Sequence, residues 1–439
     1  MPVVIVALGI LLLIFLITFV KLETFIAFVL VSFLVGIFEG MNAADLWKSI
    51  EDGIGSTLGS LVMILGFGAM LGKMVAESGA AQRIASSLIR LFGLKYVQWA
   101  MVLTGFIVGI SMFYSVGFVI LIPLVFTVAE ATKLPLLYVG IPLISALSVT
   151  HGFLPPHPSP TAISVMFKAD MGRILLYGML IGIPAIIVAG PFFARTLKKI
   201  PAKPLKEFVN PRILTDEEMP GMGISVLTAI LPVLLIILAT IIDLTPLKET
   251  LFGKVMLFAG NPAAALLISV LFSIYTLGIS RGKKMKEISE ILSRSVTSIT
   301  TVLLIIAGAG ILKEVLTDSG VSEYIGNLMS GSRLSPLLLG WLIATVLRIS
   351  VGSATVSALT AGGIMLPVVA AGGVSAELMV ISIGAGSLML SQVNDVGFWM
   401  YKEYFSLSVK DTLRSWTVME TIVGVSGLIG VLILNMFIK

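Results

Sequence analysis

An arginine, an aspartate and two histidines stand in stretches that are otherwise built for lipid. Arg348 follows the apolar run 337–347, and Asp395 closes Ser391-Gln392-Val393-Asn394-Asp395 after the apolar run 376–390. His151 and His157, the only histidines of the chain, flank the proline-dense break His151-Gly152-Phe153-Leu154-Pro155-Pro156-His157-Pro158-Ser159-Pro160. Ionisable groups at membrane depth are costly and tend to mark substrate or ion pathways. A guanidinium stays charged and forks onto a carboxylate. Arg348 precedes Ser350-Val351-Gly352-Ser353-Ala354-Thr355. A helix break there frees backbone N–H groups, which with the Ser353 and Thr355 hydroxyls make an anion site. The competing reading is an arginine paired with a carbonyl or with Asp395, or one that snorkels to the boundary.

Asp395 is the second candidate, for binding or for handling an ion. It would take up a proton, or coordinate a cation with Asn394; its alternative role is to anchor the break. Imidazole titrates near neutral pH, so His151 and His157 are candidate donors to hydroxyls or carboxylates, against the simpler role of packing. Thr161 and Ser159 offer hydroxyls, or cap the helix that follows. Pro155, Pro156, Pro158 and Pro160 hold the loop extended. Glu130, Lys133, Lys313, Glu314 and Glu420 are read as structural, with Lys313 and Glu314 as a local pair.

Composition dictates what must position these groups. The chain has 439 residues, 57% hydrophobic and 12% charged, with mean hydropathy +1.08; a soluble protein carries roughly 25% charged residues. This is an all-α polytopic membrane protein. With no cysteine and two histidines, disulfides are excluded and no metal site is expected. The net charge of +5 fits basic loops rather than nucleic-acid binding. Residues 3–20 are apolar but lack a preceding basic residue and a following cleavage site, so they read as a retained span. The glycine-rich stretches have no Gly-Lys-Ser/Thr, so no ATP hydrolysis, cofactor or enzyme activity is expected.

Spans need about 20 apolar residues. Candidates are 3–20, 24–40, 56–77, 135–166 (broken), 173–194, 224–243, 260–280, 298–316, 376–400 (broken) and 412–437. Residues 97–131 read as a helix, a break at Ser115-Val116-Gly117, and an arm of about 14 residues, too short at ~21 Å to cross. A re-entrant hairpin is therefore expected there, and another over 334–371 with its break at Ser350-Val351-Gly352-Ser353.

The shared Ser-Val-Gly suggests a duplication. Glu77-Ser78-Gly79 also parallels Asp318-Ser319-Gly320, extending over Ser322, Glu323 and Ile325, and Met166-Phe167-Lys168 parallels Tyr404-Phe405-Ser406. That register sets His157 opposite Asp395 and Pro156 opposite Asn394. The expected plan is an N-terminal two-span hairpin (1–55), a first inverted repeat (56–194), a linker (195–223), a connecting hairpin and basic loop (224–297) and a second inverted repeat (298–439). Lysine and arginine concentrate on cytoplasmic loops. Loops 78–96, 195–221, 281–294 and 402–414 hold seventeen, and 41–55, 168–173, 244–258 and 317–333 hold six. Both termini are thus expected outside.

Longer motifs carry a resemblance. Ser148-Val149-Thr150-His151-Gly152-Phe153-Leu154-Pro155-Pro156-His157-Pro158 resembles the signature loop of the gluconate permease family. So do 42–55 with Gly66-Phe67-Gly68-Ala69-Met70-Leu71-Gly72-Lys73, Gly260-Asn261-Pro262, Gly352-Ser353-Ala354-Thr355-Val356 and Asn394-Asp395-Val396-Gly397-Phe398-Trp399. The resemblance covers essentially the whole chain. It implies proton symport of gluconate or a related sugar acid across a bacterial inner membrane, by a protein often dimeric and moving as an elevator. Relatives that carry D-serine or other small hydroxy acids leave the substrate open. Members usually have a glutamate where Ser115 stands, a histidine at Gln392 and a proline at Val396. Without the first two, Asp395 is the acid left to couple transport to a proton or another cation. The expected substrate site is Arg348, Ser353, Thr355, His151, His157, Thr161, Asn394 and Ser115. A channel or an intramembrane enzyme would share the hairpins; the first would pass current without uphill accumulation, and the second would alter its substrate.

Overall fold

The computed structural model describes residues 2–204, 214–297, 299–321, 324 and 335–438. Among them the protein is helical, with no strand, as backbone groups in lipid require. Eight helices there are long and apolar enough to cross a membrane, or nine when a bent pair counts as one span.

Helices α1 (Pro2–Thr18) and α2 (Thr24–Phe38) pack as a hairpin. Next comes α3 (Ala43–Glu77), 35 residues long. Asn42 caps it, its side-chain oxygen accepting the Asp45 N–H at 2.9 Å, and no proline interrupts it. The helix therefore runs on through 55 and 56, where a boundary is expected, and bends by 41° between Gly59 and Leu61. Amphipathic α4 (Ala80–Phe92) leads to α5 (Val97–Ser111) and α6 (Tyr114–Thr132). The interrupted span follows as α7 (Leu136–Phe153) and α8 (Pro158–Met166), then α9 (Met171–Ile187), which continues through a π-helical turn at Val188–Phe192. Helices α10 (Met222–Asp243), α11 (Leu251–Ala259), α12 (Pro262–Ser273) and α13 (Met285–Thr297) connect the halves.

The second half is α14 (Thr300–Asp318), α15 (Pro336–Val351), α16 (Ala354–Ala370), an interrupted span α17 (Ala376–Gly386) and α18 (Val396–Tyr404), and α19 (Val418–Asn435). Its element starts repeat those of the first half at a nearly constant spacing. Tyr114 and Ala354, like Leu136 and Ala376, are 240 residues apart; Pro158 and Val396 are 238 apart. The parallel stretch at Ser322, Glu323 and Ile325 lies outside the described residues, as does 205–213 of the linker.

Two sequence expectations need correction here. The first break is at Met112 and Phe113, both extended, so Ser115-Val116-Gly117 sits inside the first turn of α6. That helix has 19 residues and reaches about 28 Å, so arm length no longer forces it to turn back. The second break is at Gly352 and Ser353, where Gly352 adopts φ +79°. The two Ser-Val-Gly tripeptides therefore lie on opposite sides of their breaks and are not equivalent. The element register pairs Ser115 with Thr355 instead.

Small residues bring the elements together, as helix packing in lipid favours. A Cβ at Gly384 of α17 would lie 2.2 Å from the Gly152 carbonyl oxygen of α7, so the two interrupted spans cross in backbone contact. Gly53 of α3 and Gly310 of α14 meet in the same way, at 2.7 Å. Outside the apolar body, Asp216 of the linker binds Arg83 and Arg90 of α4, each at 3.0 Å. The Arg90 hydrogen bond and the charges of both arginines hold the Asp216 carboxyl below its ordinary value. Lys313 and Glu314 form the local pair, at 2.8 Å.

Candidate functional site

The tip between α15 and α16 is closed by chemistry that the sequence carries locally. Gly352 supplies the left-handed turn that ends α15, and the Ser353 hydroxyl accepts the Val356 N–H at 3.4 Å to start α16. Arg348, one turn upstream and 3% exposed, donates through Nη1 to the Gly352 carbonyl at 2.5 Å. Its Nη2 pairs with the Asp395 carboxylate. Asp395 caps α18, accepting the Gly397 N–H at 2.9 Å, and accepts from the Ser391 hydroxyl as well. Trp416 Nε1 donates to Ser391 at 2.7 Å. The charged pair is thus held by the helix break on each side of it.

The Asn394 amide donates to the Ile349 carbonyl at 2.8 Å, which ties the α17–α18 break to the α15–α16 tip. His157 is 2% exposed, and its Nε2 bonds the Gly109 carbonyl at 2.7 Å. It plays for the first break and the end of α5 the part that Asn394 plays in the second half. Thr161 is fully buried in α8. The structure brings none of these three to the cavity wall.

The cavity itself measures about 410 Å³. It lies between the two tips and the two interrupted spans. Ser115 and Thr355, equivalent in the element register, both line it, with Ser353, His151, Arg348 and Asp395. Six expected site residues therefore come together. Four other side chains with polar atoms were not expected there: Tyr114, Ser148, Trp416 and Glu420. Glu420 is 2% exposed and accepts the Ser148 hydroxyl at 2.5 Å. A carboxylate inside the apolar run 412–437 was itself the signal, outweighed by its place in the last span. Trp416 gave no such signal, since a π-helical turn at Leu413–Thr417 sets the face on which it projects; such turns recur at functional sites. Among the described residues no group of three or more metal-ligating side chains gathers, and the wall carries one arginine, two carboxyls and hydroxyl groups.

The described residues thus form a polytopic helical membrane protein with two interrupted spans and, between them, a cavity that carries charged and hydroxyl groups on its wall. Its fold is similar to the YdaH transporter of Alcanivorax borkumensis, with TM-score 0.67 at 15% identity, covering 94% of this chain and 97% of that one. It is also similar to MtrF of Neisseria gonorrhoeae, with TM-score 0.63 at 12% identity, covering 90% and 86%. The chain belongs to the GntP permease family, whose description, "GntP family permease", matches residues 1–437. It is 53% identical to a high-affinity gluconate transporter of Escherichia coli over the full length of both chains. It is 50% identical to the Gnt-II system L-idonate transporter of the same organism over 99% of each, and 48% identical to a gluconate permease of Bacillus subtilis over the full length of both. The protein is a permease, as its sequence led us to expect, and not an enzyme.

Proposed function

We propose that this permease imports gluconate or a closely related sugar acid across a bacterial inner membrane, driven by a proton gradient. The observation that carries the reading is Arg348, a nearly buried guanidinium on the wall of a cavity of about 410 Å³. That volume is within the range of small-molecule sites, roughly 300–1,000 Å³. An anion is the guest such a group calls for, and the gluconate and L-idonate transporters among the relatives indicate which anion.

Coupling follows from competition. The Arg348 fork is occupied at rest by Asp395 and by the Gly352 carbonyl. A proton on Asp395 weakens that pairing and frees the guanidinium for the carboxylate of the substrate. Proton and substrate then favour each other's binding, since linkage is reciprocal. Ser353 and Thr355 complete the anion end, and Ser115 faces the same cavity from the first tip. His157 and Asn394 hold the two breaks in place through the Gly109 and Ile349 carbonyls, and Thr161 lies buried off the cavity wall.

Alternating access by an elevator motion, with the halves inverted, both termini outside and two copies associated as a dimer, completes the proposal. Its support is the recurring element order and the charge bias of the loops. The fold neighbours share the architecture alone.

Labelled gluconate uptake into proteoliposomes, with and without an inward proton gradient, tests it. Uphill accumulation only with the gradient is expected, lost in Arg348→Ala. A small hydroxy or amino acid such as D-serine outcompeting gluconate would replace the substrate. Ion currents without accumulation would replace the transporter by a channel.

A further inference from the structure

Four polar atoms of the cavity-lining residues are buried and have no hydrogen-bond partner among the described residues, three of them the Tyr114 hydroxyl, His151 Nδ1 and Glu420 Oε2. These three come from three helices distant in sequence, α6, α7 and α19. The Tyr114 ring lies 6.2 Å from that of His151, and Glu420, bonded to Ser148 one turn before His151 on α7, lines the same cavity. Buried polar groups almost always find partners, so three together without one call for an explanation. Ser148 holds Glu420 through Oε1 at 2.5 Å, and Trp416, which packs on the Tyr114 ring, is anchored on Ser391. Arg348 Nε is also unpartnered, but a carboxylate accounts for it.

Resting on the sugar-acid reading above, we propose that Tyr114, His151 and Glu420 form a hydroxyl-reading subsite. It selects polyhydroxylated monocarboxylates over short hydroxy acids. The complement is chemical: a phenol donates and accepts, an imidazole nitrogen does either according to tautomer, and a carboxyl oxygen accepts. Successive hydroxyls of a polyol donate and accept in the same way, so one chain satisfies all three groups. A guest that ends after two or three carbons leaves them unpaired, and a site built to bond a hydroxyl discriminates strongly against its absence. Ser148 is a positioning residue here, since its hydroxyl is spent on Glu420.

The test is calorimetric binding of gluconate and of glycerate to the purified full-length protein in detergent, for the wild type, Tyr114→Phe and Glu420→Gln. Tyr114→Phe removes one oxygen and keeps the ring; Glu420→Gln keeps the shape and alters the charge. The wild type is expected to prefer gluconate. Each variant is expected to weaken gluconate by about tenfold and glycerate by less than twofold, so that selectivity collapses while the melting temperature holds. Equal weakening of both ligands, or no weakening of either, overturns the subsite. Should one variant fail to fold, the other decides by the same ratio. A wild type that binds both acids equally overturns the subsite and leaves the sugar-acid reading standing. A wild type that binds neither overturns that reading, and the subsite falls with it.

Discussion

In the first half of the chain, the gap between α7 and α8 is filled by Leu154, Pro155, Pro156 and His157, all buried, and His157 turns its ring onto the Gly109 carbonyl. In the second half, the gap between α17 and α18 is longer. It ends in Asp395, whose carboxylate faces Arg348 and the cavity. His157 and Asp395 occupy the same place, the residue before a short helix, 238 positions apart. The aspartate caps its helix with its side chain, at 2.9 Å; the histidine does not cap its own. The imidazole of His157 is turned away from its own helix and spent on the Gly109 carbonyl of α5 instead. One break is buried and closed onto α5, and the other carries a charged pair beside the cavity.

Replacing the charged side should have the largest effect. Arg348→Ala leaves Asp395 without its partner in a largely buried place. Uptake is expected to fall on the order of 100-fold or more, with a stability loss of roughly 3 kcal/mol, seen in proteoliposome transport and in thermal melting. If uptake survives, the charged break is scaffolding like the other. Asp395→Asn comes next: accumulation against a gradient is expected to disappear, and acid is expected no longer to strengthen gluconate binding. Retained acid dependence would move the coupling proton elsewhere.

The two tips offer a gentler comparison. Gly352→Ala forces a side chain into the left-handed region and within 2.2 Å of the Asn394 carbonyl oxygen. A loss of about 2 kcal/mol or more is expected. Gly117→Ala in α6 meets only the end of Leu147, at 3.1 Å, and is expected to cost under about 1 kcal/mol. Similar melting temperatures for the two variants would show that the tips bear similar strain. The smallest functional effect belongs to His157→Ala. It removes the bond to Gly109, worth about 1 kcal/mol, and is expected to change gluconate affinity less than threefold. A large loss of affinity at normal stability would return His157 to the binding wall.

Much of this architecture was legible because lipid restricts what a chain can do. Apolar runs bounded by charges located the apolar helices, although those within 3–20 and 24–40 are shorter than a span needs, and prolines and polar clusters located both interrupted spans, since backbone there must be irregular. The limits of sequence reasoning show at particular residues. Ser-Val-Gly appeared to mark both tips, yet it falls within a helix at 115–117 and at a helix end at 350–352, because only the second copy has glycine where the chain must turn left-handed. Helix α6 was read too short because its start, at Tyr114, has no side-chain capping bond to announce it. Glu420 was discounted because a single carboxylate in a last span says nothing of what lies beside it.

By itself the sequence determined the class of protein, the positions of the two interrupted spans and the presence of an arginine and an aspartate within apolar stretches. Composition, helical length and the cost of charge in lipid are local and additive along the chain, so they can be read from it. Which side chains share one cavity was decided only by tertiary structure. Ser148 and Glu420, 272 residues apart, meet because α7 and α19 pack together. Arg348 finds Asp395 because the tip and the break are tied by Asn394. Contacts of that kind depend on helix rotation and crossing, which small residues such as Gly152 and Gly384 set in pairs, and no single stretch of sequence holds both members of a pair.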